Sequence, residues 1–160
     1  MNSFFYMLLI CRQYNIKLKY SFSNTKINGC FLWSRNQVDL FLKYNFKKWI
    51  LNKIGYYKFF PQRMKMNIVE TITFAHELGH ALSFNKGFTL GKEIDSANML
   101  FKFGFELSQE RKKFILKEEL KAWRIAKILL KKTEFKDWTE FENLKSQSLN
   151  SYEKALKITV

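Results

Sequence analysis

The sequence contains few of the residues that interrupt or cross-link a chain. It has one proline, six glycines and two cysteines in 160 residues. So little proline and glycine predicts no flexible linker or low-complexity tract. Two cysteines are too few for a disulfide-stabilised scaffold, and Cys11 and Cys30 are most simply buried free thiols. At this length we expect a single domain over residues 1–160, large enough to bury a substantial core.

Long hydrophobic runs are also scarce. The apolar run at residues 4–11 is too short to span a bilayer. No basic residue precedes it and no small-residue cleavage site follows it, so we expect neither a signal peptide nor a membrane partner, and we predict a cytoplasmic protein. We predict a first helix here instead, with Phe5, Leu8 and Leu9 facing the core.

Histidine is limited to two residues, His76 and His80, and both fall in the pattern His-Glu-x-x-His. On a helix, side chains four residues apart lie on the same face, so both imidazoles can reach one metal ion. Glu77 is offset around the helix and can reach a water bound to that metal. The pattern is typical of zinc metallopeptidases, in which this glutamate is the general base. The alternative is a helical histidine pair satisfied by core hydrogen bonds.

The residues around this motif predict a buried helix. Asn67 is suited to cap it, with Glu70 three residues later as in a capping box. Residues 68–82 are apolar nearly all round, and turn-forming residues follow at 85–87. Gly79 lies between the histidines at a cost in helix propensity. This glycine indicates either the close approach of another backbone or a substrate, or tight packing alone.

Catalytic zinc usually takes three protein ligands. The lack of a third histidine excludes the three-histidine sites of metzincins and SprT-like proteases, and leaves Cys, Asp or Glu. Residues 108–132 predict an amphipathic helix, and Glu119 falls within its apolar stripe, where a carboxylate is costly unless it is paired or metal-bound. We favour Glu119 as the third ligand, with Glu118 as its outer-shell partner or the runner-up. The alternative is that both pair on the surface with Lys121 and Arg111.

Residues 73–82, Thr-Phe-Ala-His-Glu-Leu-Gly-His-Ala-Leu, resemble the active-site helix of the ImmA/IrrE-type zinc peptidases, a gluzincin-like family of bacteria, phages and mobile elements. In that family the third ligand is a Glu three residues before an Ala on the next helix, and residues 119–122 have this form. The resemblance implies that His76, His80 and Glu119 bind Zn2+ and that Glu77 is the base. The residues after Ala122 depart from the family pattern, which implies a divergent phage or mobile-element branch.

The first part of the chain predicts a sheet. Short strand patterns occupy residues 16–20, 30–33 and 38–42, with turns at Asn28-Gly29 and Asn36, and a short helix is predicted at 46–54. The predicted fold is therefore α+β, with a small antiparallel sheet of about three strands packed against the HExxH active-site helix and the Glu-bearing helix. By analogy with zincins of this layout, residues 38–42 are the expected edge strand beside the substrate.

The chain is strongly basic, with 28 Lys and Arg against 14 Asp and Glu, a net charge of +14. Such a field favours nucleic acid or an acidic protein as a partner. A codon bias towards lysine explains the same composition equally well. Small basic clusters occupy residues 43–53, 63–65, 111–113 and 127–132.

These observations lead to two main hypotheses. The first is a zinc metallopeptidase that cuts a protein or peptide substrate, and the resemblance implies a regulatory target such as a DNA-bound phage or mobile-element repressor. The alternative is a non-catalytic, zinc-stabilised basic binding or regulatory module, and a toxin-like protease is a weaker third. Glu77 favours the enzyme, because a purely structural metal site needs no base there. The sequence does not identify the group that stabilises the oxyanion.

Overall fold

The hydrophobic periodicity of the chain forms a short helix and a small sheet in its N-terminal part and longer helices in its C-terminal part. The computed structural model describes residues 1–22, 29–32, 35–42, 66–83 and 106–157. In chain order these ranges contain α1 (Ser3–Gln13), β1 (Lys17–Phe22), β2 (Gly29–Leu32), β3 (Gln37–Leu42), α2 (Ile68–Ser83), α3 (Gln109–Lys131) and α4 (Trp138–Leu156). The predicted α+β class is confirmed. The helix predicted at 46–54 and the turn at 85–87 lie outside the described residues.

The three strands form one mixed sheet in the order β1–β3–β2. Strands β2 and β3 are antiparallel, with Phe31 opposite Val38. Strands β1 and β3 are parallel, with Leu18 opposite Val38. The chain reverses direction twice between β1 and β3, so β3 returns in the direction of β1. The predicted antiparallel pairing therefore holds for β2 and β3 and not for β1 and β3.

The prediction that residues 38–42 form an edge strand is wrong, because β3 is paired on both sides. The turn at Asn36, where φ is 45°, explains this position. The backbone carbonyl of Asn36 accepts from the N–H of Lys17 at 2.9 Å, and its side-chain amide donates to the carbonyl of Asn15 at 2.9 Å. These bonds place the start of β3 beside β1, and β2 pairs with the other side of β3. Among the described strands, β1 and β2 form the edges.

Helix α1 packs on the core through a face that only partly matches the predicted one, because the predicted Leu8 packs against the core but is only partly buried. Phe4, Met7 and Cys11 are buried, whereas Leu9 is 40% exposed. The buried residues are three and four positions apart, as a helical stripe requires, and the prediction was displaced from this stripe by about one residue. Neither cysteine is in a disulfide; Cys11 is buried as predicted, but Cys30 is only partly buried.

Helix α2 begins with the predicted capping box. The side-chain oxygen of Asn67 accepts from the N–H of Glu70 at 2.8 Å, and the Glu70 carboxylate accepts from the N–H of Asn67 at 3.0 Å. These two bonds satisfy backbone donors that the first turn leaves without helical partners. Most of the helix is buried, because it packs against β2 and β3, against α1 and against α3. The prediction of a buried helix is confirmed.

Helix α3 follows its predicted bounds closely. The hydroxyl of Ser108 accepts from the N–H of Arg111 at 3.4 Å and caps the first turn. The predicted apolar stripe, represented by Ile115, Ala122 and Ala126, is buried. Charged residues occupy the opposite face, so this amphipathic helix presents a single apolar face to α2.

Helices α2 and α3 touch through their backbones at one point. A methyl group built on Gly79 would lie 2.3 Å from the carbonyl oxygen of Ala122 and 3.1 Å from its Cα. No side chain fits in that space, so glycine is required there by the approach of the second helix. The helices run antiparallel. His76, before Gly79 in α2, contacts Trp123, after Ala122 in α3. On the other side of the crossing, Ser83 contacts Glu118.

Helix α4 was not predicted from the sequence. Its Phe141 is fully buried and meets the ring of Trp123 edge-on, with ring centroids 5.5 Å apart. This contact extends the core that α2 shares with α1 and the sheet. Among the described segments we find no helix with the length and apolarity that a bilayer crossing requires.

The contact at Gly79 predicts that Gly79→Ala destabilises the protein. In an exposed helix this change is stabilising by about 1 kcal/mol. Here the added methyl overlaps a backbone carbonyl, and overpacking of this kind costs roughly 1–3 kcal/mol. Denaturant unfolding of the two proteins measures the difference.

Because the overlapping atoms belong to the backbone, Ala122→Gly should not restore the stability of the Gly79→Ala variant. A Gly79→Ala protein more stable than the parent would show that the two helices are not in backbone contact.

Candidate metal centre

The two histidines of α2 direct the same ring nitrogen at one point. The Nε2 atoms of His76 and His80 lie 3.2 Å apart, and both residues are buried. Their four-residue spacing on a rigid helix produces this convergence, as the sequence predicts. Two lone-pair nitrogens this close in a buried setting are stable only if a proton or a cation lies between them.

Helix α3 brings a carboxylate to the same point. Glu119 Oε2 lies 3.3 Å from His76 Nε2, and Glu119 Oε1 lies 3.2 Å from His80 Nε2. The three side chains are buried and offer their ligand atoms within 4.8 Å of one another. This is the only group of three such ligands among the described residues. His76, His80 and Glu119 therefore form a candidate metal centre.

The electrostatics of the three groups are strongly coupled. Burial alone lowers the pKa of His80, but the charge of Glu119 and its hydrogen bond outweigh burial and raise that pKa to about 9. Burial raises the pKa of Glu119, and the charge of His80 and hydrogen bonds from both imidazoles reverse the effect and hold it well below its usual range. Glu119 is thus an anion stabilised by the positive charge of His80, a charge that a bound cation would supply equally well.

The neighbouring carboxylate, Glu118, has a different partner. The hydroxyl of Ser83 donates to Glu118 Oε2 at 2.9 Å, and Lys121 Nζ lies 3.7 Å from Glu118 Oε1. Ser83 is at the end of α2, so this bond holds the two helices together one turn beyond His80. The geometry therefore assigns Glu118 a place beside the centre and Glu119 a place in it.

Glu77, the predicted base, lies between the metal centre and the sheet. It is buried, and the backbone N–H of Phe31 in β2 donates to its carboxylate. Gly29, the first residue of β2, lies so close that an added Cβ would be 3.2 Å from Glu77 Cγ and 3.0 Å from Thr73 Cγ2. Burial raises the pKa of Glu77, although the charges of His76 and His80 oppose the rise. A carboxylate with a raised pKa is a stronger base at neutral pH.

Sequence reasoning missed two side chains at the site. The ring of Trp123 stacks on the imidazole of His76, with centroids 4.2 Å apart and planes 26° apart. Tyr152, on α4, is the second: burial raises the pKa of its hydroxyl, and the negative charge of Glu119 raises that pKa further. Trp123 directly follows Ala122, so its position on the edge of the apolar stripe was a usable signal. Tyr152 lies on a helix for which no prediction was made, and only the fold brings it to the site.

The basic surface is only partly described. Arg111 and Lys113 are exposed on α3, while Lys112 between them is buried. Lys127 is paired with Glu142 of α4 at 2.6 Å. The clusters predicted at 43–53 and 63–65 lie outside the described residues. Nucleic-acid contact thus stays a prediction.

A scan against protein-family models, a search of curated proteins and a search of solved structures each found no match. The resemblance to ImmA/IrrE-type peptidases accordingly remains a proposal. The functional argument rests on the geometry of the candidate metal centre and on the residues around it.

The different places of the two glutamates predict different effects on metal binding. Loss of a residue that hydrogen-bonds to a metal ligand weakens metal binding roughly 10- to 100-fold. Glu119→Gln should weaken zinc binding by more than this, because a ligand itself is removed. Glu118→Gln is the matched control and should remain within that range. Competition with a chromophoric chelator measures both affinities.

Saturating zinc should also raise the unfolding temperature of the parent and of Glu118→Gln, but not that of Glu119→Gln. A larger loss of affinity in Glu118→Gln than in Glu119→Gln would reverse the assignment of the two carboxylates.

Proposed function

We propose that this protein is a zinc-dependent metallopeptidase that hydrolyses a peptide bond in another protein. The observation that carries the proposal is the position of Glu77. It is buried one residue from His76, is held by the N–H of Phe31, and has a raised pKa. A centre built only to stabilise the fold has no use for a carboxylate base at this point.

The chemistry of the ligand set supports zinc as the metal. Two imidazoles and one carboxylate are a set used in catalytic zinc sites, which keep a fourth position open for water or substrate. Nitrogen and oxygen ligands at about 2.0–2.2 Å around a tetrahedral zinc ion lie roughly 3.3 Å from one another. The two Nε2 atoms, 3.2 Å apart, have this spacing, and each lies 3.2–3.3 Å from a different oxygen of Glu119.

The residues divide the proposed reaction between them. Zinc, when bound, supplies a Lewis acid that lowers the pKa of a water to about 7 and polarises the substrate carbonyl. His76, His80 and Glu119 would hold the ion. Glu77 takes a proton from the attacking water and passes it to the leaving amine. The N–H of Phe31 orients the Glu77 carboxylate for both transfers.

Strand β2 supports a peptide as the substrate. Among the described strands it pairs only with β3, and it lies directly against Glu77 through Gly29. Peptide substrates are commonly held extended beside a strand, where main-chain hydrogen bonds form without regard to sequence. The scissile carbonyl of a peptide held in this way would then lie near the base. We place the substrate along β2, in contrast to the β3 edge that the sequence suggested.

The target class follows from the resemblance. Small peptidases of the ImmA/IrrE type include proteins that cut repressors of mobile elements, and we propose a regulatory protein of this kind in the cytoplasm. The net charge of +14 is compatible with a substrate bound to DNA.

One observation favours the alternative, a non-catalytic zinc-stabilised module. His76, His80 and Glu119 are only 8%, 7% and 5% exposed. Structural zinc sites are closed, whereas catalytic sites keep a position for water. Both hypotheses require the metal, so cleavage and not zinc content separates them.

The decisive experiment compares the parent with Glu77→Gln on a complex peptide mixture. Mass spectrometry of a digested lysate incubated with each zinc-loaded protein would count newly formed termini. We expect cleavage by the parent, and a loss of roughly 10²- to 10⁴-fold in Glu77→Gln, because the general base is gone while the ligands remain. Metal analysis should give equal zinc contents.

Glu118→Gln serves as the control, since it removes a neighbouring buried carboxylate that the mechanism does not use, and it should keep cleaving. Equal sets of termini from the parent and Glu77→Gln would contradict the peptidase and favour the binding module.

Gly29→Ala tests the place of β2 in the same mechanism. The added methyl would lie 3.0–3.2 Å from atoms of Thr73, Asp39 and Glu77, so it should displace the Glu77 side chain by a few tenths of an ångström. We expect cleavage of a peptide identified in the mixture to fall about tenfold, because misplacement of a catalytic group slows reaction steeply.

Zinc affinity should be unchanged in Gly29→Ala, since no ligand is touched. Unchanged cleavage would show that β2 does not position the base.

A further inference from the structure

The imidazole of His76 lies flat against the indole of Trp123. The two rings are stacked, with centroids 4.2 Å apart and planes 26° apart. The Nε2 atom of the same imidazole lies 3.2 Å from His80 Nε2 and 3.3 Å from Glu119 Oε2. Rotation of the ring about its Cβ–Cγ bond would turn Nε2 away from both neighbours, so metal binding requires that the plane of this imidazole is fixed.

A hydrogen bond is the usual means of fixing that plane. A metal-bound histidine ordinarily donates its second ring N–H to a carboxylate, a backbone carbonyl or a water, and this bond sets the orientation of the ring. The second ring nitrogen of His76, Nδ1, is buried and has no hydrogen-bond partner among the residues that the structure describes. Within the described part of the chain, the stacked indole of Trp123 is the contact placed to limit rotation of the imidazole.

The fold holds Trp123 in place from two sides. Its backbone directly follows Ala122, whose carbonyl oxygen meets Gly79, so the crossing of α2 and α3 sets its position relative to His76. On α4, the fully buried Phe141 meets the indole edge-on, with ring centroids 5.5 Å apart. An aromatic ring fixed in this way can restrain the imidazole that stacks on it.

Core packing alone does not explain a tryptophan at this position. Trp123 is 4% exposed, and its indole N–H has no hydrogen-bond partner within the described ranges. A buried donor without a partner is destabilising, and a leucine or phenylalanine would fill a core position without that penalty. Tryptophan has, however, the aromatic face that attracts cations most strongly. An imidazole bound to a metal ion is positively polarised and gains from contact with such a face.

We propose that Trp123 is a positioning residue whose indole face fixes the plane of the His76 imidazole and strengthens the binding of a divalent metal ion at the centre. The proposal rests on the metal binding that the proposed function requires, and it is independent of peptide hydrolysis. It acts through one ligand, His76, and this distinguishes it from a general contribution to core stability.

The test measures zinc affinity in Trp123→Leu, which removes the ring and keeps an apolar side chain. We expect the affinity, measured by chelator competition, to fall about 10- to 100-fold, the loss typical of groups that orient a metal ligand. Trp123→Phe keeps a smaller ring with a weaker face and should show an intermediate loss. The visible absorption of the Co2+-substituted protein should change in both variants, because it reports the geometry of the ligands.

Trp138→Leu is the matched control. Trp138 packs on the other contact of the same aromatic group, with its ring centroid 5.8 Å from that of Phe141, and belongs to the same core. Both leucine variants should lower the free energy of unfolding of the metal-free protein, but only Trp123→Leu should lower zinc affinity. Equal losses of affinity in the two variants would identify a general loosening of the core and overturn the proposal.

A double-mutant cycle shows whether the indole acts through His76. In a His76→Ala background no imidazole remains to be oriented, so Trp123→Leu should not reduce the residual zinc affinity further, whereas in a His80→Ala background the full loss should persist. The same further loss in both backgrounds would overturn the proposal. If Trp123→Leu does not fold, Trp123→Phe decides, and an affinity and a Co2+ spectrum equal to those of the parent would overturn it.

The parent protein separates this proposal from the proposed function. A parent that binds no zinc would overturn the metal centre and the role of Trp123 together. A parent that binds zinc without cleaving peptides would contradict only the peptidase, because none of these readouts involves cleavage.

Discussion

The backbone contact between α2 and α3 at Gly79 is the constraint on which the candidate site depends. It sets the distance between two helices that both pack against α4, while α2 alone also packs on β2, β3 and α1. Glu119 precedes Ala122 by one turn, and the histidines flank Gly79, so the contact that joins Gly79 to Ala122 also brings the carboxylate to the imidazoles. A larger separation would leave Glu119 in an apolar stripe without a partner, which is costly.

Placing several ionisable groups in one buried region requires compensation for lost hydration. Helix α2 supplies it to Glu119 and Glu118, and strand β2 supplies it to Glu77. Glu119 is stabilised by the imidazoles of α2 and approached by Tyr152 of α4. Glu77 receives the N–H of Phe31 in β2, and Glu118 receives the hydroxyl of Ser83. The three carboxylates are thus supported by side chains and backbone of three elements, α2, β2 and α4.

The position of the sheet decides which strand lies beside Glu77. Because β3 lies in the centre, β2 is the strand that meets α2 at Glu77, and its backbone contributes both the small residue and the N–H that surround this carboxylate. The metal ligands lie on the side of Glu77 towards α3. The Glu77 carboxylate therefore stands between the candidate metal centre and β2.

The sequence by itself determined the local features of this protein. Helix periodicity and nearby hydrogen bonds alone determine three features: the spacing of His76 and His80, the capping box at Asn67 and the apolar stripe around Glu119. These features could therefore be predicted from the sequence. The order of the strands, the close approach at Gly79 and the arrival of Tyr152 were decided by the tertiary structure. These features join residues far apart in the chain, and no periodic pattern encodes which distant surfaces will pack together.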